Sequence, residues 1–182
     1  MAESPSSQVR DGWDRLVGRG TGGRWVFSKL IARLVPYSAT IRPEVQELGP
    51  GYARIRMRDR KRVRNHLNSV HAIALANLAE LTSGLALTYG LPAEARAILI
   101  GLSIDYLKKG RGTLEAECRL EVPDSSVRAE YAFESVVRDE AGDVVVRAVA
   151  RWLIGPKPAD AAPATGARPG SAREPAPAGD GS

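Results

Sequence analysis

The stretch from Val70 to Tyr89 constrains this chain more than any other. Ala72, Ile73, Ala74, Leu75, Ala76, Leu78, Ala79, Leu81, Leu85, Ala86 and Leu87 leave hardly any polar face at helical spacing. A helix that is apolar all round is a buried helix. Ser69 is the expected N-cap, and Gly90 with Pro92 ends the element. Glu80 is the sole charge between His71 and Glu94. A carboxylate is almost never fully buried without a partner, because desolvation is costly unless the group titrates to neutral. Glu80 is therefore expected to have a raised pKa, as a general acid or base requires, unless an arginine from elsewhere, such as Arg96, pairs with it.

The elements around this helix are mostly strands. Val26, Phe27, Leu30, Ile31 and Leu34 recur at helical spacing before Pro36, and Trp13 to Val17 reads as a shorter helix before them. Ile41, Pro43 and Val45 alternate with polar neighbours as a first strand. Ala53, Ile55 and Met57 alternate with arginines as a second, after the turn Gly49-Pro50-Gly51. Beyond the helix, Ile98, Ile100, Leu102, Ile104 and Tyr106 share one face of a strand. Gly110 and Gly112 flank a turn. Leu114 to Val122, Ala129 to Val137 and Val144 to Ile154 complete the series. The expectation is an α+β domain in which a long antiparallel sheet wraps the apolar helix, with a second subunit covering what the sheet leaves open.

Composition sets the limits of that domain. Residues 156–182 contain no Leu, Ile, Val or aromatic side chain and cannot offset their ordering entropy, so a disordered tail is expected. Residues 1–10 are expected to be disordered too, leaving residues 11–155 as one domain with one core. A single cysteine, Cys118, excludes an intrachain disulfide and a cysteine-based zinc site. It alternates inward on a strand and reads as core. With two histidines, His66 and His71, a His-rich metal site is not expected either. No secretory signal and no membrane span are expected, and the chain reads as soluble and cytoplasmic.

The formal charge is +5, and Arg54, Arg56, Arg58, Arg60, Lys61, Arg62 and Arg64 crowd into one short segment opposed only by Asp59. Such a run attracts nucleic acid, anionic lipid or cofactor phosphates, or is simply a solvated strand face leading into a basic loop. Nucleic-acid binding is disfavoured because the run contains no aromatic residue for stacking.

The residues opening the central helix are Asn65-His66-Leu67-Asn68-Ser69-Val70-His71-Ala72. The first N–H groups of a helix are unsatisfied and partly positive, so that of Ala72 can stabilise an oxyanion. His71 can assist as a donor, and Asn65 can position water or a carbonyl.

The segment NHLNSVHAIALANLAE, Asn65 to Glu80, resembles the helix-opening signature of hotdog-fold acyl-CoA thioesterases, particularly the phenylacetate type. That pattern has an Asn, a His-Gly-Gly six residues later and an acidic residue nine after the His; Asn65, His71 and Glu80 fall on those positions. IDYLKKGRGT, Ile104 to Thr113, is similar to the strand and turn of an uncharacterised branch of the same superfamily. The resemblance implies a hotdog fold over most of the ordered chain and hydrolysis of acyl-CoA thioesters. Glu80 would be general base or nucleophile, the Ala72 N–H an oxyanion donor, and Asn65 and His71 would orient water and thioester. Coenzyme A enters as part of the substrate, with no separate cofactor and no metal. Its phosphates fall to the basic clusters, Arg58, Arg62 and Arg64 before the helix and Lys108, Lys109 and Arg111 at a later turn. The chain departs from the pattern where Ala72 and Ile73 replace the two glycines. The N–H survives, but Ile73 is expected to narrow the acyl pocket or abolish turnover.

Geometry adds a condition of its own. Residues 72 and 80 lie about 12 Å apart along one helix axis, too far to meet one thioester carbon. A site using both must be shared by two subunits with antiparallel central helices, which calls for a homodimer or dimer of dimers. Two other readings remain, a non-catalytic acyl-CoA-binding or regulatory protein and a hydratase or dehydratase of the same fold.

Overall fold

The central helix, α3, spans Ala72–Gly90 and packs against the inner face of one six-stranded antiparallel sheet. The structure is a computed structural model and describes residues 5–124 and 126–157. Helices α1 (Pro5–Val17) and α2 (Gly20–Leu34) precede the strands β1 (Glu44–Gly49) and β2 (Tyr52–Arg58). After α3 come β3 (Ala95–Tyr106), β4 (Thr113–Arg119), β5 (Ala129–Arg138) and β6 (Val144–Pro156). The order across the sheet is β1-β2-β4-β5-β6-β3, the hotdog arrangement of a sheet around a helix.

Period-two sequence explains the sheet's inner face. Ala53, Ile55 and Met57 of β2, Leu114, Ala116 and Cys118 of β4, and Val137 of β5 are all buried under α3. From the helix side Leu75, Leu78, Leu81 and Leu85 meet them, each such burial contributing about 1.5–3 kcal/mol. By length and composition α3 is the one helix among the described residues that could cross a membrane; here it is the core of the sheet.

The structure corrects the expected topology in several places. Gly110 and Gly112 do not close a hairpin, because β3 pairs with β6 at the sheet edge while β4 lies beside β2. The segment between them crosses the ends of β6 and β5. On the way, the Leu107 N–H donates to the Val145 carbonyl (2.9 Å) and the Gly110 carbonyl accepts the Val70 N–H (2.8 Å). Turn-forming glycines mark a change of direction, not which strand follows.

Strand β3 also fails to keep one face. A bulge between Leu99 and Gly101 inserts one residue, so the inward side chains are Ala97 and Leu99 before it and Leu102 and Ile104 after it. Ile98 and Ile100, grouped by alternation with Leu102 and Ile104, are exposed.

Residues Ser38–Ile41 form a 3-10 turn, not the start of a strand, and Arg42 follows in the left-handed region (φ 51°). Residues 5–10, expected to be disordered, belong to α1, where Val9 and Trp13 are buried and Trp13 meets Phe27 edge-on at 5.0 Å. Composition misjudged them because two apolar side chains suffice when a second helix receives them. Gly23 makes that contact close, since a Cβ there would fall 1.7 Å from the Leu16 carbonyl oxygen. Residues 1–4 and most of the Pro/Ala-rich tail lie outside the described residues.

Candidate active site at the start of the central helix

The opening of α3 is built by a compact turn. The Asn65 Oδ1 accepts the N–H of Leu67 (3.0 Å) and both the N–H and the hydroxyl of Ser69 (3.2 Å each). The Asn65 N–H donates to the Ser69 carbonyl (2.8 Å). This removes Ser69 from the capping role expected of it. The N-cap is His71, whose Nδ1 accepts the Ile73 N–H at 3.1 Å. A histidine accepting at Nδ1 carries its proton at Nε2, so the donor it offers outward is Nε2–H. The Ala74 and Leu75 N–H groups turn back to the His71 carbonyl. Among the described residues the Ala72 N–H meets no acceptor and remains at the positive end of the helix.

A cavity of about 330 Å³ opens at this point, lined by Asn65, Ala72, Leu75, Tyr106, Lys108 and Lys109 among others. The β3–β4 crossover therefore brings Lys108 and Lys109 of the second basic cluster to the helix start, while Arg111 does not line this cavity. Asn65 has spent its carbonyl oxygen on the turn, which leaves its Nδ2 group as a donor. Sequence reading missed Tyr106. Its hydroxyl donates to the Ala72 carbonyl at 3.1 Å, and burial raises its pKa. It lies within the stretch IDYLKKGRGT, but that stretch gave it no role, because its role follows from β3 ending beside α3. Ile73 is 55 % exposed and does not line this cavity.

Glu80 sits two turns further along α3. It is half-buried, less enclosed than a helix apolar on all sides implies. Its carboxylate has no ion pair or hydrogen bond among the described residues, so Arg96 is not its partner, and desolvation alone raises its pKa. Nearby, a Cβ on Gly84 would lie 3.3 Å from the Trp152 ring and 3.9 Å from Glu80 Oε1. Ile73, Ala76, Glu80, Gly84 and Thr88 form a stripe of partly or largely exposed residues at helical spacing, the side of α3 that the sheet leaves least covered, with Trp152 of β6 reaching it at Gly84. Glu80 is at its middle.

The basic residues separate into engaged and free. Arg54 pairs with Glu47 and Glu115, Arg56 with Glu115 (3.3 Å), Arg58 with Glu44 (2.8 Å) and Arg64 with Asp59 (2.7 Å). Lys108 is held between Asp139 (2.6 Å) and Asp143 (2.5 Å). Arg58 lines a different cavity, between α2 and β1. Of the six cations expected to hold phosphates, Arg62, Lys109 and Arg111 are exposed and carry no ion pair among the described residues. Cross-strand acidic partners, invisible in a linear run of arginines, account for much of the difference.

Cys118 is buried opposite Ser135 in the β4–β5 pair. Burial, more than any neighbour, pushes its thiol up to about 11, which suits core and not nucleophile. Among the described residues no cluster of His, Cys, Asp and Glu could hold a metal.

A family described as a domain of unknown function, DUF4442, matches residues 23–154. The chain belongs to that family. The DUF4442 match begins inside α2, so α1 lies outside it, while every candidate site residue from Arg58 to Arg111 lies within. A structural-genomics crystal structure is 31% identical, with a TM-score of 0.71 over 84% of this chain and 99% of that one. A Pseudomonas aeruginosa protein of unknown function, described as a probable thioesterase, is 26% identical, with a TM-score of 0.62 over 71% of this chain and 91% of that one. A Staphylococcus aureus thioesterase shares the fold at 12% identity, with a TM-score of 0.60 over 66% of this DUF4442 chain and 99% of its own. No protein of curated function matches.

Proposed function

We propose that this chain hydrolyses acyl thioesters of coenzyme A at sites shared between the two subunits of a homodimer. The observation that carries the reading is the unpaired, half-buried Glu80 at the centre of the least covered stripe of α3, eight residues from a free helix N-terminal N–H. If two copies of α3 cross antiparallel at Ala76, Ala72 of one faces Glu80 of the other. Ala76 is small enough for close approach. The edge of β1 is protected by α2, whose Ser28 hydroxyl accepts the Val45 N–H, whereas among the described residues the 12-residue edge strand β3 has pairing only on its β6 side. An uncovered edge of that length favours pairing with a second copy.

In this arrangement the Glu80 carboxylate removes a proton from water as the oxygen bonds to the thioester carbon. The carbonyl electron pair moves onto oxygen, where the partner copy's free N–H and the Asn65 Nδ2 group donate to it. Collapse re-forms the carbonyl and breaks the C–S bond, and the proton on Glu80 passes to the leaving thiolate. Direct attack by the carboxylate, through an anhydride that water then opens, uses the same groups. Arg62, Lys109 and Arg111 are the unengaged cations for the coenzyme A phosphates. Ile73 faces the acyl portion.

Support from relatives is at the level of the class: the 26%-identical Pseudomonas aeruginosa protein is described as a probable thioesterase. The replacement of two glycines by Ala72 and Ile73 favours one other reading, acyl-CoA binding without turnover. Assay of the purified protein against a panel of acyl-CoAs, with Glu80→Ala beside it, separates them. Turnover lost in the variant supports hydrolysis. Tight binding with equal, background release in both supports the binding protein.

A further inference from the structure

A second and larger cavity, about 520 Å³, lies where α2 crosses the outer edge strand β1, and it shares no lining residue with the groove at the start of α3. We propose that this cavity binds a nucleotide, its phosphate held by Arg24, Lys29 and Arg42 and its base laid on Trp25. Five cations line the cavity, Arg24, Lys29, Arg42, Arg56 and Arg58, against one carboxylate, Glu44. Arg58 takes Glu44, and Arg56 takes Glu115 from β4. The remaining three have no ion pair among the described residues. The Arg24 Nε is buried with no hydrogen-bond partner among the described residues, a charged donor that an anion would satisfy.

Trp25 supplies the second half of the recognition. Its indole is 64% exposed at the rim while Trp13 and Trp152 are buried, and Lys29 Nζ stands 5.6 Å from its ring centroid. A cation beside an exposed indole is the pairing that a phosphate joined to a planar base satisfies at both ends. Arg42 is fixed in position by its backbone, which donates to the Ala39 carbonyl (3.0 Å) and closes the 3-10 turn before β1. A cavity of this size holds a mononucleotide, and guanidinium groups are suited to bidentate contact with phosphate oxygens.

The proposal stands apart from thioester hydrolysis and is read without turnover. The full-length protein, and Glu80→Gln beside it, is titrated with AMP, adenosine, inorganic phosphate and adenosine 3′,5′-bisphosphate, following tryptophan fluorescence and heat. AMP and the bisphosphate are expected to quench saturably, adenosine to bind at least about tenfold more weakly, and phosphate to compete without quenching. Arg24→Ala combined with Arg42→Ala is expected to weaken AMP binding about tenfold or more with the melting temperature retained. Trp25→Phe should lose the fluorescence signal but keep a heat of binding. Preference for the bisphosphate identifies the nucleotide end of coenzyme A as the source and moves its phosphates here from Arg62, Lys109 and Arg111, and parity with AMP identifies a separate nucleotide. Absence of a saturable response to all four probes, or unchanged affinity in the double alanine variant, overturns the proposal. So does a Trp25 blue shift with phosphatidylglycerol vesicles while nucleotides leave it unchanged, which would make this face a lipid-binding surface.

Discussion

The Nδ1 of His71 accepts the Ile73 N–H at 3.1 Å, and this single bond decides which donor the start of α3 leaves free. With Ile73 capped and Ala74 and Leu75 turned back to the His71 carbonyl, the Ala72 N–H points away from the helix unshared. Ala72→Pro removes that hydrogen and little else. Proline is tolerated at the first helical position, and His71 before it is already extended (φ −65°, ψ 140°), as a residue preceding proline must be. The expected result is a folded protein with kcat lower by about 10²-fold or more, measured on the best acyl-CoA substrate.

Sharing of the site is tested by mixing two inactive proteins. A heterodimer of Ala72→Pro with Glu80→Gln contains one site in which both residues are intact and one in which both are changed. Random re-association should restore about a quarter of wild-type activity, since half the dimers are mixed and each has one working site. No recovery from mixed dimers verified by their tags would place both residues in one subunit's site.

Asn65 has two separable roles. Its Oδ1 organises the turn through three accepted bonds, and its Nδ2 is the group left for substrate. Asn65→Asp keeps the acceptor and loses the donor, so the melting temperature should hold while activity falls. Asn65→Ala loses both and should cost about 2 kcal/mol of stability as well, measured by urea unfolding. Equal activity in wild type and Asn65→Asp would confine Asn65 to the turn.

Much of this was legible in sequence, and for physical reasons. The period of two in β2 and β4 and the all-apolar α3 specify the layers, because each pattern can be buried in one way only. The Asn65, His71 and Glu80 spacing marked the residues that open and line the helix. What sequence concealed depends on distant partners. Whether Arg58 or Arg62 is free rests on Glu44 lying across the β1–β2 pair, and the place of Lys109 rests on β3 choosing β6 as neighbour. The bulge between Leu99 and Gly101 adds one residue and reverses a face that alternation alone had assigned wrongly. The cap was misplaced by two residues because Asn65 claimed Ser69 first.

Cys118 offers a test of the core. It is 1% exposed, and burial pushes its thiol up to about 11. At pH 8 the thiolate fraction would be about a hundredfold or more below that of an ordinary cysteine, before the steric block is counted. Reaction with a disulfide reagent should therefore be slow in the native protein and immediate in denaturant. Fast native labelling would mean that the β4–β5 region opens readily.

Glu80 titration links stability to chemistry. Desolvation holds its pKa above the usual carboxylate value, so between the unfolded and folded pKa the folded chain binds more protons than the unfolded one. Stability contributed by this group is therefore greatest at acid pH, where the neutral acid is buried, and declines as pH rises through the folded pKa. Glu80→Gln mimics the neutral form. It should melt higher than wild type at pH 7, and the difference should shrink as pH falls and Glu80 becomes protonated in both states. Activity should run the opposite way, rising with pH as the base ionises, with an inflection above the ordinary glutamate range. The two curves share one pKa because one carboxylate sets both. A Glu80→Gln variant that melts lower than wild type at pH 7 would mean that the carboxylate has a stabilising partner in the assembled protein, and a base so paired would not be free to take a proton from water.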